Sequence, residues 1–337
     1  MPSRQTVYFT GPRRIEVREE ALPAPATGRM LVKTHLSAIS TGTEMLVYRG
    51  QFPHGMAVDE SIPALKKKFA YPLCYGYAAV GHVAELGKGV SEDWLGRAVF
   101  SFQPHTSHFY ASPETVTLLP AGFSLEAAAF LPNTETAVNL AQDGAPILGE
   151  NVLVFGQGVI GLLTAALLAE FPLESLVTVD PIACRRSASL ALGVTASLDP
   201  AAAGFKDRLS ALLPLGADLS YELSGAPSAL NEAIAATRFS GRVVIGSWYG
   251  EKPVQVELGG AFHRSRVRLL SSQVSSLAPE LAGRWDKSRR FETAWRALER
   301  IRPEKWITHR FPCERAAEAY ALLDESPSET IQVLLDY

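Results

Sequence analysis

The sequence predicts an α/β protein in which a doubly wound parallel sheet accompanies a second, mostly β unit. After Pro132, apolar strands and helices alternate, beginning with NVLVFGQGVIGLLTAALLAEF and SLVTVD. Strands that lose polar alternation are typical of parallel sheets buried on both faces. Before Pro132, short strands such as RQTVYF and RMLVKTHLSAIS are separated by Gly, Pro and acidic clusters, which is typical of a compact β unit.

Length and composition describe an ordinary globular chain with two domains. Its 337 residues exceed the size at which a single core usually divides. The hydrophobic share of 47% and the charged share of 20% match soluble proteins. A net charge of −3 does not favour nucleic acid or a membrane surface as a partner, so we expect neither.

The N-terminal segment MPSRQTVYFTGPRRIEV has no apolar core of the kind that signal peptides contain. The most apolar stretch, GVIGLLTAALLAEF, is too short and too interrupted by glycine to span a membrane. The three cysteines are far apart and form no CxxC pair, which disfavours a disulfide framework and a cysteine-rich zinc site. A cytoplasmic protein is the simplest interpretation.

The segment VLVFGQGVIG contains a glycine motif in the setting that dinucleotide binding requires. An apolar strand precedes the motif, an apolar helix follows it, and Asp180 ends the next strand. Gly156 permits a tight turn, Gly158 lets the backbone approach a pyrophosphate, and Gly161 lets the helix pack close to the strand. The pyrophosphate then meets unpaired N–H groups at the positive end of the helix. A glycine turn without any ligand is the alternative.

Asp180 favours NAD(H) over NADP(H), because its carboxylate should accept hydrogen bonds from the adenosine ribose hydroxyls. A 2′-phosphate would face that carboxylate, with a repulsion of about 3 kcal/mol per charge pair at an effective dielectric of ~20 and a separation of ~5 Å. Arg185 and Arg186 follow closely. They would soften the preference if they met a phosphate; alternatively, they lie at the surface where a helix begins, or one stacks on the adenine. NADP(H) therefore stays open.

Five ordered blocks resemble segments of the medium-chain dehydrogenase/reductase family and together cover nearly the whole chain. The first block resembles the family's active-site loop, and the third resembles the entry to its cofactor domain. The five blocks are TGTEMLVYRGQFP, YPLCYGYAAVGHV, HFYASPETVTLLPAGFSLEAAAFL, GADLSYELSGAPSALNEAIAATRFSGRVVIGSWYG and WITHRFPCERAAEAYALLDESPSETIQVLLDY.

The resemblance implies a GroES-like, mostly β catalytic domain, residues 1–133 and 276–337, around a Rossmann cofactor domain, residues 134–275. It also implies a small-molecule substrate in the cleft between the domains, and a homodimer or homotetramer. The motif and the resemblance together predict these cofactor-binding residues: Gly156, Gly158, Val159, Gly161, Asp180, Arg185, Ser224 and Gly246.

The zinc ligands that many family members use are missing from the matching positions. Thr41 stands where the resemblance implies the first cysteine, and Tyr77 stands where it implies the histidine. Pro132 or Asn133 takes the third position, and the four-cysteine structural lobe is also absent. Hydroxyl and proline groups are poor zinc ligands beside thiolate and imidazole, so we expect no catalytic zinc. A different metal site would use three other side chains: Glu44, His105 and His108.

Without zinc, a carbonyl oxygen that gains charge during hydride transfer needs other hydrogen-bond donors. Thr43 matches the family's proton-relay hydroxyl, and Tyr77 would lie where an imidazole normally faces the nicotinamide. His105, in a loop expected to border the cleft, is a third candidate, and Glu44 matches an acid that orients its neighbours. Alternatively, Thr41 and Thr43 cap a helix that begins near Glu44, and Tyr77 only lines the cleft.

Basic side chains are concentrated between residues 263 and 290, and Trp285 interrupts the second half of this segment. Arg264, Arg266 and Arg268 alternate as if on one face of a strand. Arginine forks match carboxylates and phosphates, so this basic segment could hold such a group on the substrate or cofactor. A solvated edge with intramolecular ion pairs is the alternative. The family branch that includes bacteriochlorophyllide hydroxyethyl dehydrogenases is the one that the chain resembles, which implies a bulky, carboxylated secondary alcohol or ketone.

The leading functional interpretation is a zinc-independent, NAD(P)(H)-dependent oxidoreductase that transfers hydride between nicotinamide and an alcohol or ketone carbon. A quinone or enone reductase is the close competitor, because an activated C=C bond needs less polarisation of the carbonyl. A third interpretation belongs to a different class, namely a protein that binds a nucleotide as a redox sensor or structural component without catalysing a reaction.

Overall fold

A computed structural model describes residues 2–53, 55–58, 62–66 and 68–337 of the chain. The chain forms two compact units. The first unit comprises residues 1–132 and 302–337, and the second comprises residues 133–301.

The helices and strands follow the chain in three groups. The first group contains β1 Ser3–Gly11, β2 Arg14–Ala21, β3 Met30–Ala38, α1 Thr43–Arg49, β4 Leu73–Cys74, β5 Ala79–Leu86, β6 Ala98–Ser101, β7 His108–Ala111, β8 Thr117–Leu118, α2 Leu125–Ala128 and α3 Leu131–Gly144. The second contains β9 Asn151–Phe155, α4 Val159–Leu168, β10 Ser175–Val179, α5 Ala183–Leu190, β11 Ala196–Leu198, α6 Phe205–Leu212, β12 Ala217–Glu222, α7 Pro227–Ala236, β13 Thr237–Ile245, β14 Arg268–Ser271 and α8 Lys287–Ile301. The last contains β15 Ile307–Pro312, α9 Ala316–Glu325 and β16 Gln332–Asp336.

Two sheets form the first unit over the residues that the structure describes. The larger has the order β15-β16-β3-β5-β6-β8, with β7 also paired to β3, and the smaller has the order β2-β1-β4. The C-terminal strand β16 pairs antiparallel with β3, so the end of the chain completes a sheet begun near its start. A shared apolar core joins Phe9 of β1, Val47 of α1, Tyr320 of α9 and Leu335 of β16.

Helix α1 carries one buried acid on an otherwise apolar face. Met45 and Val47 are buried in the core, and Glu44 is buried in its first turn. Gly42 is the N-cap residue, and no side chain caps the first turn of the helix. Neither Thr41 nor Thr43 therefore caps α1. The helix ends at Gly50, whose left-handed φ of 69° lets its N–H reach the last carbonyls.

Asp324 of α9 fixes the end of α1 and supports a pH-dependent prediction. Its carboxylate accepts hydrogen bonds from Arg49 Nε at 2.6 Å and from Arg13 Nε at 2.7 Å. Burial alone would raise the pKa of Asp324, but these two arginines outweigh it and hold the pKa below its ordinary value. A depressed carboxylate pKa contributes stability above the unfolded pKa, and this contribution is lost as the pH falls through the folded pKa.

Asp324→Asn should therefore lower the thermal unfolding midpoint at pH 7 by about 2 °C. The difference from the wild type should shrink below the ordinary aspartate pKa of about 3.9. Melting curves at pH 7 and at acid pH check this result, and an equal difference at both values would contradict it.

The second unit, all of whose residues the structure describes, contains a parallel sheet of six strands in the order β11-β10-β9-β12-β13-β14. Numbered within the unit, this is the order 3-2-1-4-5-6 of a Rossmann sheet. The order reverses between β9 and β12, and ligands of such sheets bind beyond the carboxyl ends of the strands at that point. The loops that follow β9 and β12 therefore form the edge of the sheet where a ligand is expected to bind.

Residues 276–301 lie in the second unit, whereas the sequence analysis put its boundary at 275/276. The reason is Arg290 of α8, which is fully buried. Its guanidinium is 2.8 Å from Glu135 Oε1, and its Nη1 donates to Asn139 Oδ1, which holds α8 to α3. A buried charge needs such partners. The sequence of a charged helix does not show which of its arginines is buried or which residues pair with it.

Candidate functional site

The glycine loop after β9 lies directly beside the loop after β12. Gly156 has a φ of 91°, and a Cβ placed there would be 2.6 Å from the backbone N of Ser224. A side chain at this position would therefore be strained by its own backbone and would also clash with the neighbouring loop. Gly156 is thus required by the turn itself.

Gly158 and Gly161 differ in what surrounds them. A Cβ on Gly161 would lie 1.9 Å from the carbonyl O of Gly156, so the close approach of α4 to the loop requires glycine. A Cβ on Gly158, the N-cap residue of α4, would meet no atom within 4 Å. Open space therefore lies over the first turn of α4, where the first N–H groups have no intrahelical partners. Val159 begins this helix and is buried.

Asp180 follows β10 and connects it to the glycine loop. Its Oδ2 accepts the N–H of Gln157 at 2.7 Å, and its Oδ1 accepts the N–H of Ile182 at 2.8 Å. The residue is only 3% exposed, a degree of burial that the sequence did not indicate. An ionised carboxylate has about four lone-pair sites, so these two bonds leave it further acceptor capacity. Gln157 is also buried, and its Oε1 has no hydrogen-bond partner among the described residues.

The two arginines that follow Asp180 are placed in α5. Arg186 donates from Nη1 to the backbone O of Asp180 at 2.8 Å and lies 3.2 Å from Asp199. It is therefore held by its own unit. Arg185 is half-buried in the same helix.

A buried acid that the sequence analysis did not select, Glu222, ends β12 and organises the adjoining loop. Glu222 Oε1 accepts the backbone N–H of Ser224 at 2.8 Å and its Oγ–H at 2.5 Å, while Oε2 accepts Tyr249 Oη–H at 2.5 Å. Burial, together with this carboxylate, raises the pKa of Tyr249 above its ordinary value. Glu222 could have been predicted from the sequence, because it is an acid at the end of a buried strand, the same pattern that predicted Asp180. Ser224 was predicted to bind the cofactor, and its hydroxyl donates a hydrogen bond to Glu222 instead.

Gly246, at the end of β13, has a packing reason to be glycine. A Cβ there would lie 2.6 Å from side-chain atoms of Leu140 and of Leu223. Its N–H donates to the carbonyl of Glu222 at 3.0 Å. The predicted cofactor residues after β9, β10, β12 and β13 therefore lie at the carboxyl ends of strands that are adjacent in the sheet.

In the first unit, the structure brings the predicted Glu44 and His105 into direct contact. His105 Nε2 lies 2.9 Å from Glu44 Oε2, and the same oxygen accepts Tyr320 Oη–H at 2.5 Å. Both Glu44 and His105 are fully buried. Burial and the neighbouring carboxylate raise the pKa of Tyr320 well above its ordinary value, so this phenol keeps its proton and donates it.

The second nitrogen of His105 is also engaged. Nδ1 lies 2.7 Å from Ser37 Oγ, which is 3.0 Å from Tyr337 Oη. In a neutral imidazole with its proton on Nε2, this nitrogen donates to the carboxylate and Nδ1 accepts from Ser37. A Cβ on Gly76, whose φ is 118°, would be 2.7 Å from the imidazole, so the backbone closes over the ring. His105 therefore does not border an open cleft as the sequence suggested; it orients Glu44.

Tyr77 and Thr43 are half-buried residues of the same unit. Tyr77 Oη donates to Ser40 Oγ at 2.5 Å, and Ser40 N donates to Glu44 Oε1 at 2.9 Å. Thr43 is the first residue of α1. The structure thus connects Tyr77, Glu44 and His105 through Ser40, a residue that the sequence analysis did not select.

The side chains at the positions that the resemblance assigns to zinc do not form a zinc donor set. Thr41 and Tyr77 carry hydroxyl groups, and that of Tyr77 is hydrogen-bonded to Ser40. In the described ranges of the chain, no group of three or more His, Cys, Asp or Glu side chains is arranged to hold a metal ion, Glu44, His105 and His108 included. His108 lies on β7, and its Nδ1 is 3.0 Å from Ser107 Oγ. Burial lowers the pKa of His108.

The basic segment does not form one surface. Only Arg268 belongs to β14, whereas Arg264 and Arg266 precede the strand, so these arginines do not alternate on one strand face. Arg290 is buried against Glu135, and Arg289 lies over the ring of Trp285 at 4.3 Å. The segment is therefore divided between an internal ion pair and exposed cations.

Comparison with known proteins supports the same class of fold. Residues 159–297 match the family model described as zinc-binding dehydrogenase. The chain is 25% identical to the uncharacterized zinc-type alcohol dehydrogenase-like protein YphC of Escherichia coli strain K12, over 96% of each chain. It is 27% identical to 2-desacetyl-2-hydroxyethyl bacteriochlorophyllide A dehydrogenase of Cereibacter sphaeroides, over 98% of this chain and 97% of the relative.

A solved structure extends the comparison to three dimensions. The short chain alcohol dehydrogenase (rspB) of E. coli CFT073, crystallised with NADH, matches this fold with a TM-score of 0.79 at 19% identity over 100% of each chain. The predicted fold class, a GroES-like unit with a Rossmann unit, is confirmed. By these comparisons the chain is similar to zinc-type alcohol dehydrogenase-like proteins, and the predicted bacteriochlorophyllide branch is not separated from the other relatives. No helix in the described part of the chain is long and apolar enough to cross a bilayer.

Proposed function

Taking the zinc-type alcohol dehydrogenase-like superfamily as the group that the comparisons support, we propose that this protein is a zinc-independent, NAD(P)(H)-dependent oxidoreductase. It transfers hydride between nicotinamide and the carbon of an alcohol or ketone. The observation that carries this proposal is the open space over Gly158 at the start of α4, at the point where the strand order of the parallel sheet reverses.

The dinucleotide fits the residues present at this loop. The free N–H groups of the first turn of α4 suit a pyrophosphate, and the space over Gly158 leaves room for it. Asp180, at the end of β10, favours NAD(H) because its carboxylate would repel a 2′-phosphate. Arg185 and Arg186 would be the cations available to NADP(H), and Asp199 already lies 3.2 Å from Arg186. The bound cofactor would supply or accept the hydride.

We propose that hydroxyl groups take the place of the metal. A hydrogen bond from Thr43 would stabilise the charge that develops on the substrate oxygen, and Tyr77, whose Oη donates to Ser40 Oγ, would assist that oxygen through Ser40. Glu44 and His105 are buried and would position the loop between β3 and α1. The substrate would be a secondary alcohol or ketone, bulky or carboxylated, and the active protein would be a homodimer or homotetramer.

The test combines cofactor titration, a substrate panel and metal analysis on the purified full chain. NADH should quench protein fluorescence at lower concentration than NADPH does. Acetoin and acetophenone represent ketones, while menadione and cyclohex-2-enone represent quinones and enones. We expect reduction of a ketone, and we expect that activity survives dialysis against a chelator.

Other results of these measurements would indicate a different function or contradict the proposed mechanism. Reduction of menadione or cyclohex-2-enone alone would indicate the quinone or enone reductase. NADH binding without turnover of any probe would indicate a nucleotide-binding sensor or structural protein. Stoichiometric zinc whose removal abolishes turnover would contradict the metal-free mechanism, and failure to bind either nucleotide would contradict all three.

A further inference from the structure

We propose that Ser40 is the residue that passes a proton to the substrate oxygen, and that Tyr77 acts through it. This inference rests on the proposed function and adds a catalytic residue to it. It is carried by the direction of one hydrogen bond, by the anchoring of Ser40 in a buried network, and by the partial exposure of residues Ser40 and Tyr77.

The hydrogen bond runs from Tyr77 to Ser40. Tyr77 Oη is the donor and Ser40 Oγ the acceptor, at 2.5 Å. A phenol has a single proton, and here that proton is directed at Ser40. A hydroxyl that accepts one hydrogen bond still has its own proton to donate. Of the two groups, Ser40 therefore offers the proton to a third oxygen, and Tyr77 is placed to replace it.

Ser40 is held in place by the buried pair of Glu44 and His105. Its backbone N–H donates to Glu44 Oε1 at 2.9 Å, and the other carboxylate oxygen contacts His105 Nε2 and Tyr320 Oη. Both partners of the pair are fully buried, so neither reaches a substrate. Their contribution is to fix the backbone at residue 40, which makes them positioning residues.

Ser40 and Tyr77 are both only half-buried, in contrast to the pair behind them. Thr43 is also half-buried, but no hydroxyl lies behind it to resupply a proton: among the described residues its Oγ1 has no hydrogen-bond partner. Thr43 would therefore donate a hydrogen bond to the substrate oxygen, and Ser40 would transfer the proton. Ser40, in the loop before α1, and Thr43, the first residue of α1, thus have separate roles.

In the reducing direction, the carbonyl carbon gains the two electrons of a hydride, which the reduced nicotinamide provides as it becomes oxidised. The carbonyl oxygen forms an O–H bond with the proton of Ser40 as the Ser40 O–H bond breaks. Ser40 Oγ takes the proton of Tyr77, and the resulting phenolate takes a proton from water. One ketone, one NADH and one proton yield one alcohol and one NAD⁺. Oxidation of the alcohol runs through the same transfers in reverse.

The experiment compares Ser40→Ala, Ser40→Thr and Tyr77→Phe with a control, Thr293→Val, which removes a threonine hydroxyl on α8 outside the candidate site. The probes are NADH with acetoin and with acetophenone. Ser40→Ala should lower kcat by about 100-fold, within the range for loss of a general acid, while KM and NADH affinity stay within about threefold. Ser40→Thr restores a hydroxyl and should recover kcat to within about tenfold of wild type. Tyr77→Phe should lower kcat by about 10-fold, and Thr293→Val should leave it unchanged.

A solvent isotope effect separates proton transfer from a merely structural role. The ratio of kcat in H₂O to that in D₂O should rise in Tyr77→Phe, because water must then replace the proton of Ser40 directly. A Ser40→Ala variant with wild-type kcat would overturn the inference while leaving the proposed function intact. Wild-type protein that binds NADH but reduces neither ketone would overturn both. Equal losses in Ser40→Ala and Ser40→Thr would also contradict the inference, because the hydroxyl would then not be what matters.

Discussion

Gly158→Ala is expected to weaken NADH binding by about thirtyfold, which corresponds to roughly 2 kcal/mol. The fold itself has no need of glycine at this position. The backbone there is extended, with a φ of −67° and a ψ of −174°, and an added Cβ meets no atom within 4 Å. A pyrophosphate over the first turn of α4 would occupy that same space, so the methyl group would displace it. Fluorescence titration with NADH measures the change.

The thermal unfolding midpoint of Gly158→Ala should stay within about 1 °C of wild type, because replacing glycine at a compatible backbone position does not destabilise the fold. Gly161→Ala is the matched contrast. Its Cβ would lie 1.9 Å from the carbonyl O of Gly156, so α4 must move and the midpoint should fall. Unchanged NADH affinity in Gly158→Ala would mean that the dinucleotide does not lie over α4.

Glu44→Ala should lower the free energy of unfolding by about 3–5 kcal/mol, because three hydrogen bonds end on this carboxylate and each buried donor left without an acceptor costs about 1–3 kcal/mol. The carboxylate accepts from Ser40 N, His105 Nε2 and Tyr320 Oη, and all three donors would lose their acceptor. Buried donors without an acceptor carry the full cost of desolvation. Urea unfolding followed by circular dichroism measures the loss.

Glu44→Gln provides the graded comparison. Glutamine keeps one acceptor oxygen but presents an amide N–H₂ to donors on its other side, so about half of the loss should remain. Glu16→Ala serves as the control, because that carboxylate is exposed on β2 and its removal should not shift the transition. If Glu44→Ala unfolds at the same urea concentration as wild type, the buried network does not support α1.

The sequence predicted the cofactor unit well because its signals are local. Gly156 and Gly161 are glycines for reasons that lie within a few residues of themselves: a positive φ in one case and a backbone oxygen at 1.9 Å in the other. Strands that lack polar alternation indicate the parallel sheet in the sequence. Glu222 carried the same signal as Asp180, an acid that ends a buried strand, but it was not selected.

The sequence predicted the first unit less completely because its contacts are distant along the chain. Glu44 and His105 were both selected, but each was interpreted by itself. Their contact joins positions 61 residues apart, and Tyr320 reaches the same carboxylate from 276 residues away. The hydrogen bond from Tyr77 to Ser40 spans 37 residues. No periodicity or spacing records such pairs, since they depend on how sheets and helices pack.

The sequence by itself determined the class of fold, the glycine loop and the absence of thiolate and imidazole at Thr41 and Tyr77, because residue type and neighbours along the chain decide these features. Only the tertiary structure decided that His105 is buried as the partner of Glu44 and that Ser40 lies between Tyr77 and that carboxylate. The physical reason is that a hydrogen bond depends on distance and direction in space, and folding brings together groups that the chain keeps far apart.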